Sequence, residues 1–288
     1  MAEAADFIII GGGIAGLSAA ARLALHGQVV VLEAEEAVGY HSSGRSAAFY
    51  HFGLGNPLVR GLTAWSRPFF DAPPAGFTDV PLATPKAALF IATDAMRAEL
   101  DDLGAEMRRF IDTVETADAA AMRALCPALK FGEGGIVAGL VDHGGRSLDA
   151  DALLQGFARQ ARSRGTVRVR HRIARLDRSG SGWTATTEAG ESYSAPIIVN
   201  AAGAWADHVA ALAGVARLAC NPAAAQSLSL IPPKAWMSAI GPSSKPRATC
   251  FTFCHRVIGC SPAPMMKRIP HPATRNPRNM MSRWPRIL

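Results

Sequence analysis

Residues 5–33 constrain this chain more than any other stretch. Phe7-Ile8-Ile9-Ile10 is a short, wholly apolar run rich in β-branched residues. A run of that kind suits a strand buried on both faces of a parallel sheet. Gly11, Gly13 and Gly16 follow at once and spell G-x-G-x-x-G. Ile14 to Leu25 is rich in Ala and Leu and has no Pro, which predicts a helix, and Gly27 stands just past its expected end. Val29 to Leu32 reads as a second buried strand, and it finishes on Glu33.

Each part of this strand–turn–helix–strand unit has a physical task. Gly11 permits a tight turn off the strand, Gly13 lets a pyrophosphate approach the backbone, and Gly16 lets the helix pack close to the sheet. The helix N-terminus offers unpaired N–H groups and the positive end of its dipole to phosphates. Glu33 lies 22 residues after Gly11, where an acid accepts hydrogen bonds from an adenosine ribose. A carboxylate there repels a 2′-phosphate, which disfavours NADP. The unit predicts dinucleotide binding and by itself leaves FAD and NAD both open.

The chain of 288 residues allows one large domain or two, and 49% hydrophobic residues supply an ample core. No apolar stretch of about 20 residues runs without interruption, so no membrane span is expected. The first apolar run is a strand and no basic segment precedes it, so it does not read as a signal peptide, and a cytoplasmic location is expected. The net charge of +7 is unevenly placed: all 23 acidic residues fall within 1–207, whereas 208–288 carries only Lys and Arg. A nucleic-acid partner would rest on that tail alone, and none is expected. The tail also holds Cys220, Cys250, Cys254 and Cys260, while Cys126 is the only cysteine before it. The spacing of Cys250, Cys254 and Cys260 lacks the paired C-x-x-C of structural zinc sites, and no metal is expected.

After Glu33, the stretch Gly39-Tyr40-His41-Ser42-Ser43-Gly44-Arg45-Ser46-Ala47-Ala48 is a loop by composition. Its small residues and hydroxyls suit close contact with a ligand, and Arg45 could meet a phosphate or carboxylate. Asn56 caps and Pro57 starts a helix to about Phe70. Residues 80–143 alternate strand and helix (strands at 89–93 and 135–141, helices at 94–103 and 117–125) and read as an inserted second domain. Asp149 caps a helix that Gly165 ends, strands are expected at 167–171 and 183–187, and Ile197 to Asn200 is a further buried strand entering the small-residue turn Ala201-Ala202-Gly203-Ala204-Trp205. A helix to about Leu212 follows. The histidines show no metal-ligand spacing, and no catalytic triad pattern occurs.

Together, the Gly11–Gly16 fingerprint, Glu33, His41 to Ala48 and Asn200 to Trp205 resemble the D-amino-acid oxidase/glycine oxidase family of FAD flavoproteins. Within it the likeness is greatest to FAD-dependent D-arginine dehydrogenases, with support from Val59-Arg60, Leu62-Thr63, Ser66-Arg67, Phe69-Phe70 and Pro73 to Phe77. The resemblance implies an α/β fold: a Rossmann-like, glutathione-reductase-type FAD domain at 1–80 and 144–217, with part of an α+β substrate domain at 81–143. It implies that Gly11, Gly13, Ala15 and Gly16 line the pyrophosphate and that Glu33 and Ala34 meet the ribose. Ser42, Ser43, Arg45, Ser46 and Ala47 would run along the pyrophosphate and flavin, Ile173 would touch the adenine side, and Ala202-Gly203 would close on the cofactor. The implied chemistry is oxidation of a small D-amino or imino acid at its Cα–N bond, with hydride passing to the flavin and an electron acceptor that no residue specifies. The alternatives are an NAD-dependent Rossmann dehydrogenase or an FAD-dependent 2-hydroxy acid dehydrogenase.

The chain departs from that pattern at three positions and in its tail. Phe49 stands where the D-arginine enzymes carry a histidine, Leu54 where they carry a lid tyrosine, and Ala88 near their guanidinium-binding acid. Tyr50 and His51 remain as candidate catalytic groups. The likeness is expected to stop near Arg217. Back-translated and shifted by one nucleotide, the Gly-Leu-Gln-Pro-Arg-Arg-Arg that relatives carry there reads as Ala219 to Ala225 of this chain. Residues 218–288 are therefore expected to be an out-of-frame or disordered tail, with the family's C-terminal part missing and activity impaired.

Overall fold

The computed structural model describes residues 2–46, 48–180 and 182–216, together with the backbone of 248–252. They divide into two compact units. The first takes its described residues from the start of the chain to 48, from 71–82 and from 149 onward. The second takes 49–70, 83–148 and the strand at 248–252. The sequence reading placed the inserted region at 81–143; by packing, the helix at 57–71 and the residues up to 148 also group with the second unit, save for Asp71.

A four-stranded parallel sheet organises the first unit, in the order Gly165–Arg168, Val29–Leu32, Phe7–Ile10, Ile197–Asn200. Alternate residues of its strands enter two different cores. On one face Ile9, Val29 and Val31 pack under the helices Ile14–Leu23 and Ala150–Arg164. Those helices meet through Leu17, Ala20, Leu154, Ala158 and Ala161, so small side chains let them lie close. On the other face Ile8, Ile10, Val30 and Leu32 pack against Ile173, Leu176, Ala185 and Tyr193. This explains why the first two strands read as continuous apolar runs rather than alternating ones. The second face is covered by an antiparallel meander, Ile173–Ser179, Gly182–Thr187 and Ser192–Ala195, and by Val209 of the helix Ala206–Leu212. Of the meander, the sequence reading expected only the strand near 183–187. The short strand expected at 167–171 instead runs Gly165–Arg168 in the parallel sheet, paired with Val29–Leu32.

The second unit holds one sheet of Val114–Thr116, Ala138–Asp142, Ala87–Ala92 and Ala248–Thr252, and a smaller one of Phe49–Tyr50, Arg146–Leu148 and Ala83–Pro85. Its larger core joins Tyr50, Phe52, Ala88, Phe90, Leu100, Leu103 and Met107. Asn56 caps the helix Pro57–Asp71 as expected, its Oδ1 accepting from the Val59 N–H at 3.1 Å. Asp149 does the same for Ala150–Arg164 through the Ala152 N–H at 2.8 Å. The helix expected at 94–103 begins later and runs Arg97–Arg108, after a single 3₁₀ turn at Asp94–Met96. The tail cysteines lie outside the described residues apart from Cys250, of which only the backbone is described. No helix among the described residues is long and apolar enough to cross a membrane.

Candidate functional site

The site grows from the turn between the first strand and the first helix of the parallel sheet. Gly11 has φ +111°, a region that L side chains rarely adopt, and a Cβ there would run into the Ala201 carbonyl. A Cβ on Gly16 would overlap the Gly11 carbonyl oxygen. The tight packing thus joins the helix to the turn and to the end of the Ile197–Asn200 strand, rather than to the sheet face that the sequence suggested for Gly16. Ala201 is fixed in turn by its N–H, which donates to the Ile10 carbonyl at 2.9 Å. The helix start behind Gly13 has no side-chain cap from its own N-cap residue and no acid in its first turn. Its positive end is therefore not offset locally, as an anion site requires.

Two side chains complete the cradle. Ser43 Oγ accepts the Ile14 N–H at 3.0 Å, so the 39–45 loop caps the helix from a distance in sequence. The loop is pinned by the Gly39 N–H donating to the Gly12 carbonyl at 2.9 Å. Glu33 is buried, and its two oxygens accept from the Gly12 N–H at 2.6 Å and the Glu35 N–H at 2.9 Å. Each carboxylate oxygen has a second lone pair for a ribose hydroxyl. The carboxylate so holds the glycine turn in shape as well as facing the cleft.

The cleft above this turn has a volume of about 200 Å³. Of the residues expected at a dinucleotide, it brings together Gly11, Gly13, Glu33, Ala34, Ser42, Ser43, Ile173, Ala202 and Gly203. Gly16 lies beneath the turn, and Ala15 is exposed on the helix. Arg45 turns its guanidinium over the Tyr40 ring, 5.2 Å from its centroid, and Ser46 Oγ accepts from the Ala48 N–H at 3.0 Å. Neither lines the cleft. Ala47 lies outside the described residues. Tyr50 and His51, the candidate catalytic pair, belong to the second unit. The Tyr50 hydroxyl donates to the Thr63 carbonyl at 2.9 Å, and His51 Nδ1 accepts from the Gly53 N–H at 3.1 Å. Burial pushes the His51 pKa down to about 4, so its ring is neutral at neutral pH.

The sequence reading named no site role for the polar rim of the cleft: Glu35, Tyr40, His41, His171, Arg172, Glu188 and Trp205. The available signal was the alternation of Glu33 and Glu35 just past the strand, opposite the basic run Arg170-His171-Arg172. His171 Nε2 pairs with Glu191 at 2.8 Å. The Glu35 carboxylate is held below its ordinary pKa by the hydrogen bond from His41, with Arg172 adding to the effect. Among the described residues no cluster of His, Cys, Asp and Glu could hold a metal ion.

The residues fit the adenosine diphosphate half of a dinucleotide: a turn with no room for a Cβ, an uncompensated helix start, and a buried acid beside them. Because Glu33 also satisfies two backbone N–H groups, its removal should be felt without any ligand. Glu33→Ala should lower the unfolding free energy by about 1–3 kcal/mol, the cost of a buried donor left unpaired, and Glu33→Gln by clearly less. Urea unfolding of the ligand-free chain checks this; equal stability of all three would contradict the bracing role.

Comparison with known proteins agrees with this geometry. A curated bifunctional protein from Burkholderia lata, which acts in tRNA 5-methylaminomethyl-2-thiouridine biosynthesis, is 29% identical over 239 residues, 78% of this chain and 35% of its own length. Glycine oxidase from Geobacillus kaustophilus superimposes with a TM-score of 0.65 at 21% identity, over 74% of this chain and 59% of that one. Iminodiacetate oxidase from Chelativorans sp. BNC1 gives a TM-score of 0.57 at 26% identity, over 72% and 57%. The chain thus spans about a third of the curated relative and under two thirds of these solved proteins. The family model for FAD dependent oxidoreductases, DAO, matches residues 6–257, which runs past the break expected near 217. With a match over most of its length, and a glycine turn, ribose-side acid and small-residue closing turn assembled around one cleft, the chain belongs to the DAO family of FAD dependent oxidoreductases.

Proposed function

We propose that the cleft holds the ADP half of FAD and that the protein oxidises the Cα–N bond of a small amino or imino acid. The cradle of Gly11, Gly13 and Ser43 beside Glu33 is the observation that carries the cofactor assignment. Bound FAD supplies a two-electron acceptor, which no side chain can provide. The chain's own part is to hold the pyrophosphate at the helix start, to bind the ribose through Glu33, and to keep a 2′-phosphate out by charge. The iminodiacetate oxidase likeness supports an amine as substrate. A neutral substrate is favoured over D-arginine because Ala88 is fully buried in the apolar core of its unit and offers no charge to a guanidinium. Tyr50 and His51 serve as polar groups of the second unit; the neutral His51 ring accepts the Gly53 N–H at Nδ1 and so carries its own proton on Nε2.

Anaerobic mixing of the FAD-loaded chain with a substrate panel tests this reading. Glycine, D-alanine and D-proline should bleach the flavin absorbance at least as fast as D-arginine, and 2-hydroxy acids should leave it unchanged. A strong D-arginine preference, or bleaching by hydroxy acids alone, would contradict it.

The acid-free composition of 208–288 supports a shifted reading frame, while the family match to 257 argues against a break as early as 217. Resequencing the coding region should reveal a single-nucleotide shift downstream of the closing turn. An intact frame ending at Leu288, in a chain whose flavin is reduced by amino acids, would refute the shift.

A further inference from the structure

We propose that Glu35, His41 and Arg172 form a clasp that positions the walls of the cleft around the adenosine end of the dinucleotide; this rests on the FAD reading above. Three separate segments meet at one oxygen atom. His41 Nε2 and Arg172 Nη2 both lie 3.1 Å from Glu35 Oε1. Glu35 follows the Val29–Leu32 strand, His41 opens the loop whose Ser43 caps the helix, and Arg172 immediately precedes the meander strand that begins at Ile173. All three line the same cleft.

The backbone joins two of these segments a second time. The Glu35 carbonyl accepts from the Arg170 N–H at 2.8 Å and the Glu33 carbonyl from the His171 N–H at 2.7 Å. The backbones that carry Glu35 and Arg172 are therefore fixed against each other. His41 is backed by the Trp205 ring, 4.5 Å between centroids, on the turn that closes the far wall. Glu188 stands 4.0 Å from Arg172 Nε and steadies the guanidinium from its other side. Without the shared carboxylate, the 39–45 loop keeps its ties to the glycine turn and helix start through Gly39 and Ser43 but loses its link to the meander, and Arg172 keeps only the longer contact to Glu188. The clasp thus sets the separation of the loop and meander walls before ligand arrives, which lowers the ordering cost of binding.

The effect should be modest, because the three side chains are partly solvated and such pairs contribute little each. Glu35→Gln preserves shape and removes charge. It should weaken both FAD and ADP by the same factor, about three- to tenfold for two carboxylate contacts weakened together. Calorimetric titration of each ligand into the ligand-free chain measures this. The thermal unfolding midpoint of the ligand-free variant should stay near that of the parent, and His41→Gln should show part of the same loss. Glu36→Gln, whose carboxylate pairs with Arg170 at 3.5 Å away from the cleft, should leave both affinities unchanged. Unchanged FAD affinity in Glu35→Gln, or a loss for FAD without a matching loss for ADP, would overturn the clasp alone. A parent chain that binds neither ligand would overturn the FAD reading and the clasp with it.

Discussion

The close approach of Gly11 and Gly16 to each other and to Ala201 is the constraint on which the first unit depends. It leaves space for no side chain at either glycine, and it ties the first strand, the first helix and the last strand of the parallel sheet into one corner. The sequence Asn200-Ala201-Ala202-Gly203 is small for the same reason. Asn200 supports the corner from outside, its Nδ2 donating to the Ala206 carbonyl at 2.7 Å and its Oδ1 accepting from the Ala202 N–H at 3.3 Å. Packing and ligand recognition thus make the same demand here: backbone must be bare where it meets backbone, and where it meets phosphate.

Charge is arranged around that corner in layers. The helix start is positive and carries no acid. The buried Glu33 is held by two backbone donors, so it is kept in place without a cationic side chain against it. Further out, Glu35 is shared between His41 and Arg172. A dinucleotide that presents a pyrophosphate to the helix and hydroxyls to the acid matches this order, and one that carries an extra ribose phosphate does not.

Legibility followed the range of the interactions. Phe7–Ile10 and Val29–Leu32 were readable as strands because burial on both faces leaves a local, apolar signature; Ile197–Asn200 was readable from its β-branched run, though it was expected to be buried and Ile197 and Asn200 are exposed. The glycine turn and the caps at Asn56 and Asp149 were readable because each is a local demand on one backbone. The Ile173–Ser179 strand was not, since only Ile173 and Leu176 are buried, three residues apart across a register shift, so no strict alternation marks it. The rim was not legible either: Glu35, His41 and Arg172 come from distant parts of the sequence, and only the fold makes them neighbours. Its loop sets the Arg45 guanidinium over the Tyr40 ring, a contact that its charge alone does not announce. Tyr50 and His51 lie buried in the second unit, Tyr50 beside Phe52 and His51 beside Phe90.

Gly13→Val tests most directly whether the glycine turn is where FAD is held. A Cβ at Gly13 meets only Ser43 Oγ, at 3.2 Å, so a side chain there intrudes on the pyrophosphate position and touches little else of the fold. The parent chain should bind one FAD per chain in competition with ADP, as read by flavin fluorescence. The variant should lose at least about tenfold in affinity, or about 1.4 kcal/mol, with an unchanged unfolding midpoint in the absence of ligand. Equal FAD affinity in the variant, or FAD binding that ADP does not displace, would contradict the account.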